Sequence, residues 1–164
     1  MSIRFGILTL SDRSARSERL DASGPVLAEL IHAQGWSVVK QAILPDESSA
    51  IRVCLIEWSD DGEVDVILTT GGTGFALRDV TPEATRAVIQ REAPGLAETM
   101  RAESLKKTPH AMLSRAVAGI RGRTLIVNLP GSPKGALENL QTILPVLPHA
   151  VQLLADDPRS ETSH

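Results

Sequence analysis

The stretch Thr69–Thr85, TTGGTGFALRDVTPEAT, follows directly on the run Val64–Leu68, VDVIL, apolar but for Asp65. A strand giving way to Gly71, Gly72 and Gly74 can turn tightly and aim successive backbone N–H groups at one point, which makes a concave anion site. Further on, Thr81 is suited to cap a helix, Pro82 to its first position and Glu83 to its positive end. Between glycines and helix stands a lone acid, Asp79, with no evident structural duty. The order strand, glycine turn, acid, helix reads as a phosphate site with a carboxylate beside it. Thr69, Thr70 and Thr73 offer extra hydroxyls. The plain alternative is a tight strand-to-helix turn. Neither the Walker spacing nor the dinucleotide fingerprint is present.

Outward from this stretch, strands and helices alternate. Upstream, Ile3–Leu10 is predicted as a strand, Gly24-Pro25 opens a helix, Trp36–Leu44 is a second strand, and Ser48–Ser59 a second helix. Val64–Leu68 is the third strand, apolar enough to be covered on both faces. Downstream, Ala84, Ala87 and Val88 mark the buried side of a short helix, and Pro94-Gly95 begins another that runs to about Lys106. Leu113–Ile120 suits helix or strand; Arg121-Gly122 can turn it back onto Thr124–Asn128, which favours an antiparallel strand. In the last helical region Pro145 and Pro148 predict a break near Leu144. The expected fold is α/β, a three-layer α-β-α sandwich on a mostly parallel sheet with one antiparallel strand. Residues 1–155 form one domain and 156–164 a polar tail.

Composition narrows the function. The chain has 164 residues, of which only 2% are aromatic and none is Tyr, so stacking on nucleobases is disfavoured. A formal net charge of −3 leaves no broad basic face, and no nucleic-acid partner is expected. Cys54 is the single cysteine, so neither an intrachain disulfide nor a cysteine metal cluster can form; with Ile51, Leu55 and Trp58 it falls on a packed helix face. No signal pattern is seen at the start, and no apolar run approaches the ~20 residues of a membrane span. The expected compartment is the cytoplasm.

In a parallel sheet, ligands bind beyond the carboxyl ends of the strands. Four such exits, SDR, PDE, TTGGTG and NLPGSPKG, carry charged or hydrogen-bonding residues and should gather at one edge. Asp46 and Asp79 stand at two of them. Each has a dull explanation, a helix cap for Asp46 and a local turn for Asp79; together they suit Mg²⁺ on a phosphate substrate. Asp12 is a third acid of the same kind, and Arg13, Arg16 and Arg19 follow it. Ser132 and Lys134 stand at a helix start that favours an anion. His32, His110, His149 and His164 show no metal-ligand spacing, although His110 lies near a site loop.

These motifs resemble the molybdopterin adenylyltransferases, the MogA type found also in the G-domains of gephyrin. The resemblance rests on TLSDR (9–13), LPDE (44–47), TTGGTGFALRDVTPEAT (69–85), AMLSRAVAGIRG (111–122) and LIVNLPGSPKG (125–135), and spans about Ile3–Leu154. The sister MoaB-like proteins look similar around GGTG, but the RDVTPEA form is closer to the MogA type. The resemblance implies a cytoplasmic homotrimer that transfers AMP from ATP to the terminal phosphate of molybdopterin, with Mg²⁺, before hand-over to a molybdenum-inserting enzyme. By motif position it implies catalytic, metal-holding roles for Asp46 and Asp79. Ser11, Asp12, Gly71, Gly72, Thr73 and Gly74 go with the nucleotide phosphates, and Ser114, Pro130, Gly131, Ser132 and Lys134 with the pterin. A pterin-binding or scaffolding module without turnover, or a MoaB-like relative, is the alternative.

Overall fold

The computed structural model describes residues 2–156. His164 and all of the expected tail beyond Asp156 lie outside the described residues. Six strands form one sheet: β1 (Arg4–Leu10), β2 (Ser37–Leu44), β3 (Val66–Thr70), β4 (Arg91–Glu92), β5 (Ala118–Arg121) and β6 (Thr124–Leu129), in the order β2-β1-β3-β6-β5-β4. The first four in that order pair in parallel, while β5 is antiparallel to both β6 and β4. Five strands therefore share a direction and β5 alone opposes them, as expected from the Arg121-Gly122 turn. The two-residue β4 has no sequence signature and was not anticipated.

Alternation along the strands sends side chains to opposite faces. Phe5, Ile7, Val66, Leu68, Leu125 and Val127 join one core, while Leu8, Leu10, Ile67 and Ile126 join the other. Against the first core pack α2 (Ser23–Ala33), α5 (Pro94–Leu105), α6 (Pro133–Ile143) and α7 (Leu147–Leu154). Against the second pack α3 (Ser48–Asp60) and α4 (Thr81–Val88). The short α1 (Asp12–Ala15) caps the end of β1 and buries nothing. The expected break in the last helix is a 3-10 turn at Leu144–Val146.

Two local expectations need correction. The N-cap of α4 is Val80, not Thr81; Thr81 is the first helical residue and Pro82 the second. The Thr81 hydroxyl instead donates to the carbonyl of Gly71 at 3.0 Å, tying the glycine turn to the helix. On α4, Thr85 rather than Ala87 shares the buried face with Ala84 and Val88. Its hydroxyl has a reason to be there. Asn128, fully buried on β6, donates to the hydroxyls of Thr69 (2.9 Å) and Thr85 (3.0 Å) and accepts from the Val117 N–H at 3.1 Å. One amide thus joins β3, α4, β6 and the approach to β5. Asn128→Ala leaves these buried groups unmatched and is expected to destabilise the fold by about 2–4 kcal/mol, measured by urea unfolding.

Candidate active site

All four strand exits meet at one edge, around the crevice between β1 and β3 where the chain order of the sheet reverses. Because β5 runs backwards, the segment that leads into it, Ser114–Val117, reaches the same edge. Two cavities open there. The smaller, of about 210 Å³, is lined by Ser11, Arg19, Asp46, Gly71, Gly72 and Asp79, with Gly131 at its wall. The larger, of about 320 Å³, takes Thr73, Gly74, Ser114, Pro130 and Ser132, together with Lys107 and His110. The GGTG turn is therefore a partition, with Gly71–Gly72 facing one cavity and Thr73–Gly74 the other. The loop after β6 divides in the same way.

The partition is held tightly. Gly71 and Gly72 adopt φ of +104° and +70°. A Cβ on Gly72 would collide with the Thr81 hydroxyl and lie 3.0 Å from Asp46 Oδ1. The Thr70 hydroxyl donates to the Pro130 carbonyl and the Ser23 hydroxyl to the Gly131 carbonyl, each at 2.7 Å. The Thr70 hydroxyl is thus consumed by structure, and the Thr69 hydroxyl is fully buried against Asn128, so neither is a spare donor for a ligand, contrary to the sequence expectation. Asp21, in the segment before α2, accepts from the N–H groups of Ser23 and Gly24 and from the Thr9 hydroxyl. Ser132 is the N-cap of α6 as expected, accepting from the Gly135 N–H at 3.1 Å.

Asp46 caps no helix. The N-cap of α3 is Glu47, and it makes no side-chain cap bond. Asp46 and Asp12 instead clasp each other. The Asp12 N–H donates to Asp46 Oδ2 at 3.1 Å, and the Asp46 N–H donates to Asp12 Oδ1 at 3.0 Å. The second oxygen of Asp46, Oδ1, is buried with no hydrogen-bond partner. Burial is the main cause that raises the Asp46 carboxyl above the usual aspartate value; the nearby charges of Asp12 and Asp79 add to it. A buried, unmatched acceptor on a residue that lines a cavity, beside a second carboxylate, suits a hard cation that brings its own waters and phosphate oxygens. Among the described residues no three His, Cys, Asp or Glu side chains form a ready-made metal cage. Asp79 also has a local duty after all, since its carboxylate accepts from the Ala76 N–H at 3.0 Å.

Asp12 lines neither cavity. Arg78 grips it in a fork, Nε to Oδ2 at 3.0 Å and Nη2 to Oδ1 at 2.8 Å. Asp12 thus holds Asp46 and is itself held by Arg78. The Arg78 fork is the leading cause that holds the Asp12 carboxyl down to about 2, against an ordinary 3.8. A depressed folded value means that the pair's contribution to stability is complete above pH 3.8 and is lost as pH falls through about 2. Arg78→Ala is expected to return Asp12 toward 3.8, read by carboxyl carbon NMR titration. Of the loop arginines, Arg16 pairs with Glu18, and only Arg19 lines the smaller cavity. Lys134 lines neither cavity.

The family model described as a probable molybdopterin binding domain matches residues 6–149. The chain belongs to that family. It is 43% identical over 155 residues to a molybdopterin adenylyltransferase of Helicobacter pylori, covering 93% of this chain and 88% of that protein. It is 51% identical over 157 residues to the molybdenum cofactor synthesis protein cinnamon of Drosophila melanogaster; there it spans 95% of this chain but only 26% of the longer protein. Among solved structures, the molybdopterin biosynthesis enzyme MoaB of Thermus thermophilus superposes with a TM-score of 0.89 at 53% identity, covering 95% of this chain and 98% of that one. The three-layer fold is shared with the MoaB structure. No helix among the described residues is long and apolar enough to cross a membrane.

Proposed function

We propose that this chain is a molybdopterin adenylyltransferase acting in molybdenum-cofactor biosynthesis. It joins the terminal phosphate of molybdopterin to the AMP moiety of ATP. A molybdopterin phosphate oxygen forms a bond to the α-phosphorus, the bond from that phosphorus to the β-phosphate oxygen breaks, and pyrophosphate leaves. The phosphate nucleophile is already anionic near neutral pH, so the site needs charge neutralisation and in-line placement more than a general base. The observation that carries this reading is the pair of cavities sharing the GGTG wall. The smaller, with the glycine turn, Arg19 and the two carboxylates, suits the triphosphate. The larger, with Ser114, Ser132, Lys107 and His110, suits a heterocycle bearing a phosphate.

Mg²⁺, held by Asp46 and Asp79, would supply neutralisation of the triphosphate charge when bound. Asp46 Oδ1 supports this, being buried and otherwise unmatched. Asp12, itself gripped by Arg78, holds the Asp46 carboxylate in place through its other oxygen, Oδ2. A cytoplasmic homotrimer that hands its product to a molybdenum-inserting enzyme fits the same reading.

Purified chain, ATP, Mg²⁺ and molybdopterin should release pyrophosphate only when all are present. Tight molybdopterin binding with no pyrophosphate would support a scaffolding module instead. The 53% identity to a structure named MoaB is the specific reason to keep a MoaB-like relative as the second reading.

A further inference from the structure

Arg115 has no part in the site as described so far, and the dipeptide Ser114-Arg115 is uninformative by itself. In the fold it reaches under the whole Gly74–Asp79 loop. Its backbone N–H donates to the Thr73 carbonyl at 2.8 Å. Its side chain donates from Nε to the Gly74 carbonyl at 2.8 Å and from Nη2 to the Asp79 carbonyl at 2.7 Å, while Nη1 pairs with Glu83 at the start of α4. One residue thus grips both ends of the loop and the helix that follows it.

Apart from the Arg78–Asp12 fork, the loop has little else to hold it. Phe75 is 68% exposed and Leu77 fully exposed, so no apolar anchor is present there. Its internal bonds join Ala76 and Asp79 only to each other. Arg115 itself sits on a fixed segment, because Arg101 Nη1 donates to the Ala116 carbonyl at 2.9 Å and the Ser114 carbonyl at 3.4 Å. Ser114 lines the larger cavity, and Asp79 lines the smaller. Any change in the Arg115 fork therefore alters the spacing between the two cavities.

We infer that Arg115 is a positioning residue for the transfer: its guanidinium sets Asp79 and Gly74 against Ser114, and so sets the approach of the two substrates. This inference rests on the proposed AMP transfer. Only a planar fork with several fixed donors can span two carbonyls and a carboxylate at once, so lysine cannot substitute for it.

The test uses Arg115→Lys and Arg115→Ala in the full chain, with Glu83→Gln as a milder variant that removes only the far anchor. Without ligands, amide hydrogen exchange at Ala76 and Asp79 should rise about 10-fold or more in Arg115→Lys, while β3 and β6 stay protected. In Glu83→Gln the same two amides should shift in the same direction by less. The kcat of Arg115→Lys should fall about 10²-fold, with KM for ATP and molybdopterin within about 3-fold of wild type. Added guanidinium ion should restore part of the kcat lost in Arg115→Ala.

Unchanged exchange at both amides together with full kcat would overturn the inference. So would exchange that rises equally across β3 and β6, since Arg115 would then serve stability alone. A wild-type chain without AMP transfer whose two amides are still released by Arg115→Lys would overturn the proposed reaction and support the clamp.

Discussion

Asp46→Asn is expected to lower AMP transfer by about 10³-fold or more while moving the melting temperature by no more than about 3 °C. The catalytic loss follows from charge. Asp46 Oδ1 is a buried acceptor with no protein donor, on a residue that lines the cavity assigned to the triphosphate. An amide there presents no negative charge to a cation. The small thermal effect follows from two opposed terms. The Asp46 carboxyl is raised in the fold, chiefly by burial, so its ionised form weakens the native state above the ordinary value. Removing the charge relieves that cost. Asn keeps an oxygen for the Asp12 N–H but places an amide hydrogen where no acceptor waits, which offsets the relief. The same raised carboxyl should show in the acid limb of kcat/KM, which reports the free enzyme before the cation and substrates bind. Activity should fall, as pH drops, at a higher pH than an ordinary aspartate would give. Steady-state kinetics across pH, with differential scanning calorimetry of the variant, checks both halves.

Gly72→Ala should abolish transfer and destabilise the fold together, by about 2–4 kcal/mol. At φ +70° a residue with a Cβ is strained even in open space, and this space is not open. The added methyl would strike the Thr81 hydroxyl, whose bond to the Gly71 carbonyl fastens the turn to α4. It would also press on Asp46 Oδ1. The contrast with Asp46→Asn is diagnostic: one variant loses activity with stability kept, and the other loses both. Urea unfolding and pyrophosphate release on the two proteins distinguish them.

The two-faced core, the direction of the sheet and the gathering of four loops at one edge follow from patterns a sequence shows openly. Continuous aliphatic runs such as Val66–Leu68 ask for cover on both faces, and the Arg121-Gly122 turn reverses β5. Asp46 and Asp79 stood out because acids at strand exits are chemically visible. What stayed hidden depends on partners distant in the chain. Asp12 reads as a free acid until Arg78, 66 residues away, is seen to grip it. Thr69 and Thr70 read as free hydroxyls until Asn128 and Pro130 engage them. Arg115 works largely through backbone carbonyls, which every residue possesses, so no residue type upstream announces it. The two residues of β4 are too few to carry an alternating pattern.

The central claim is that the chain moves AMP, and a labelling experiment tests it most directly. A single turnover with molybdopterin, Mg²⁺ and ATP labelled at either the α- or the γ-phosphate, followed by separation of the pterin product, reads which group moved. The proposed site predicts the α-label in the pterin product and the γ-label in released pyrophosphate. A γ-labelled pterin, or an unlabelled pterin that is nonetheless bound, would contradict it.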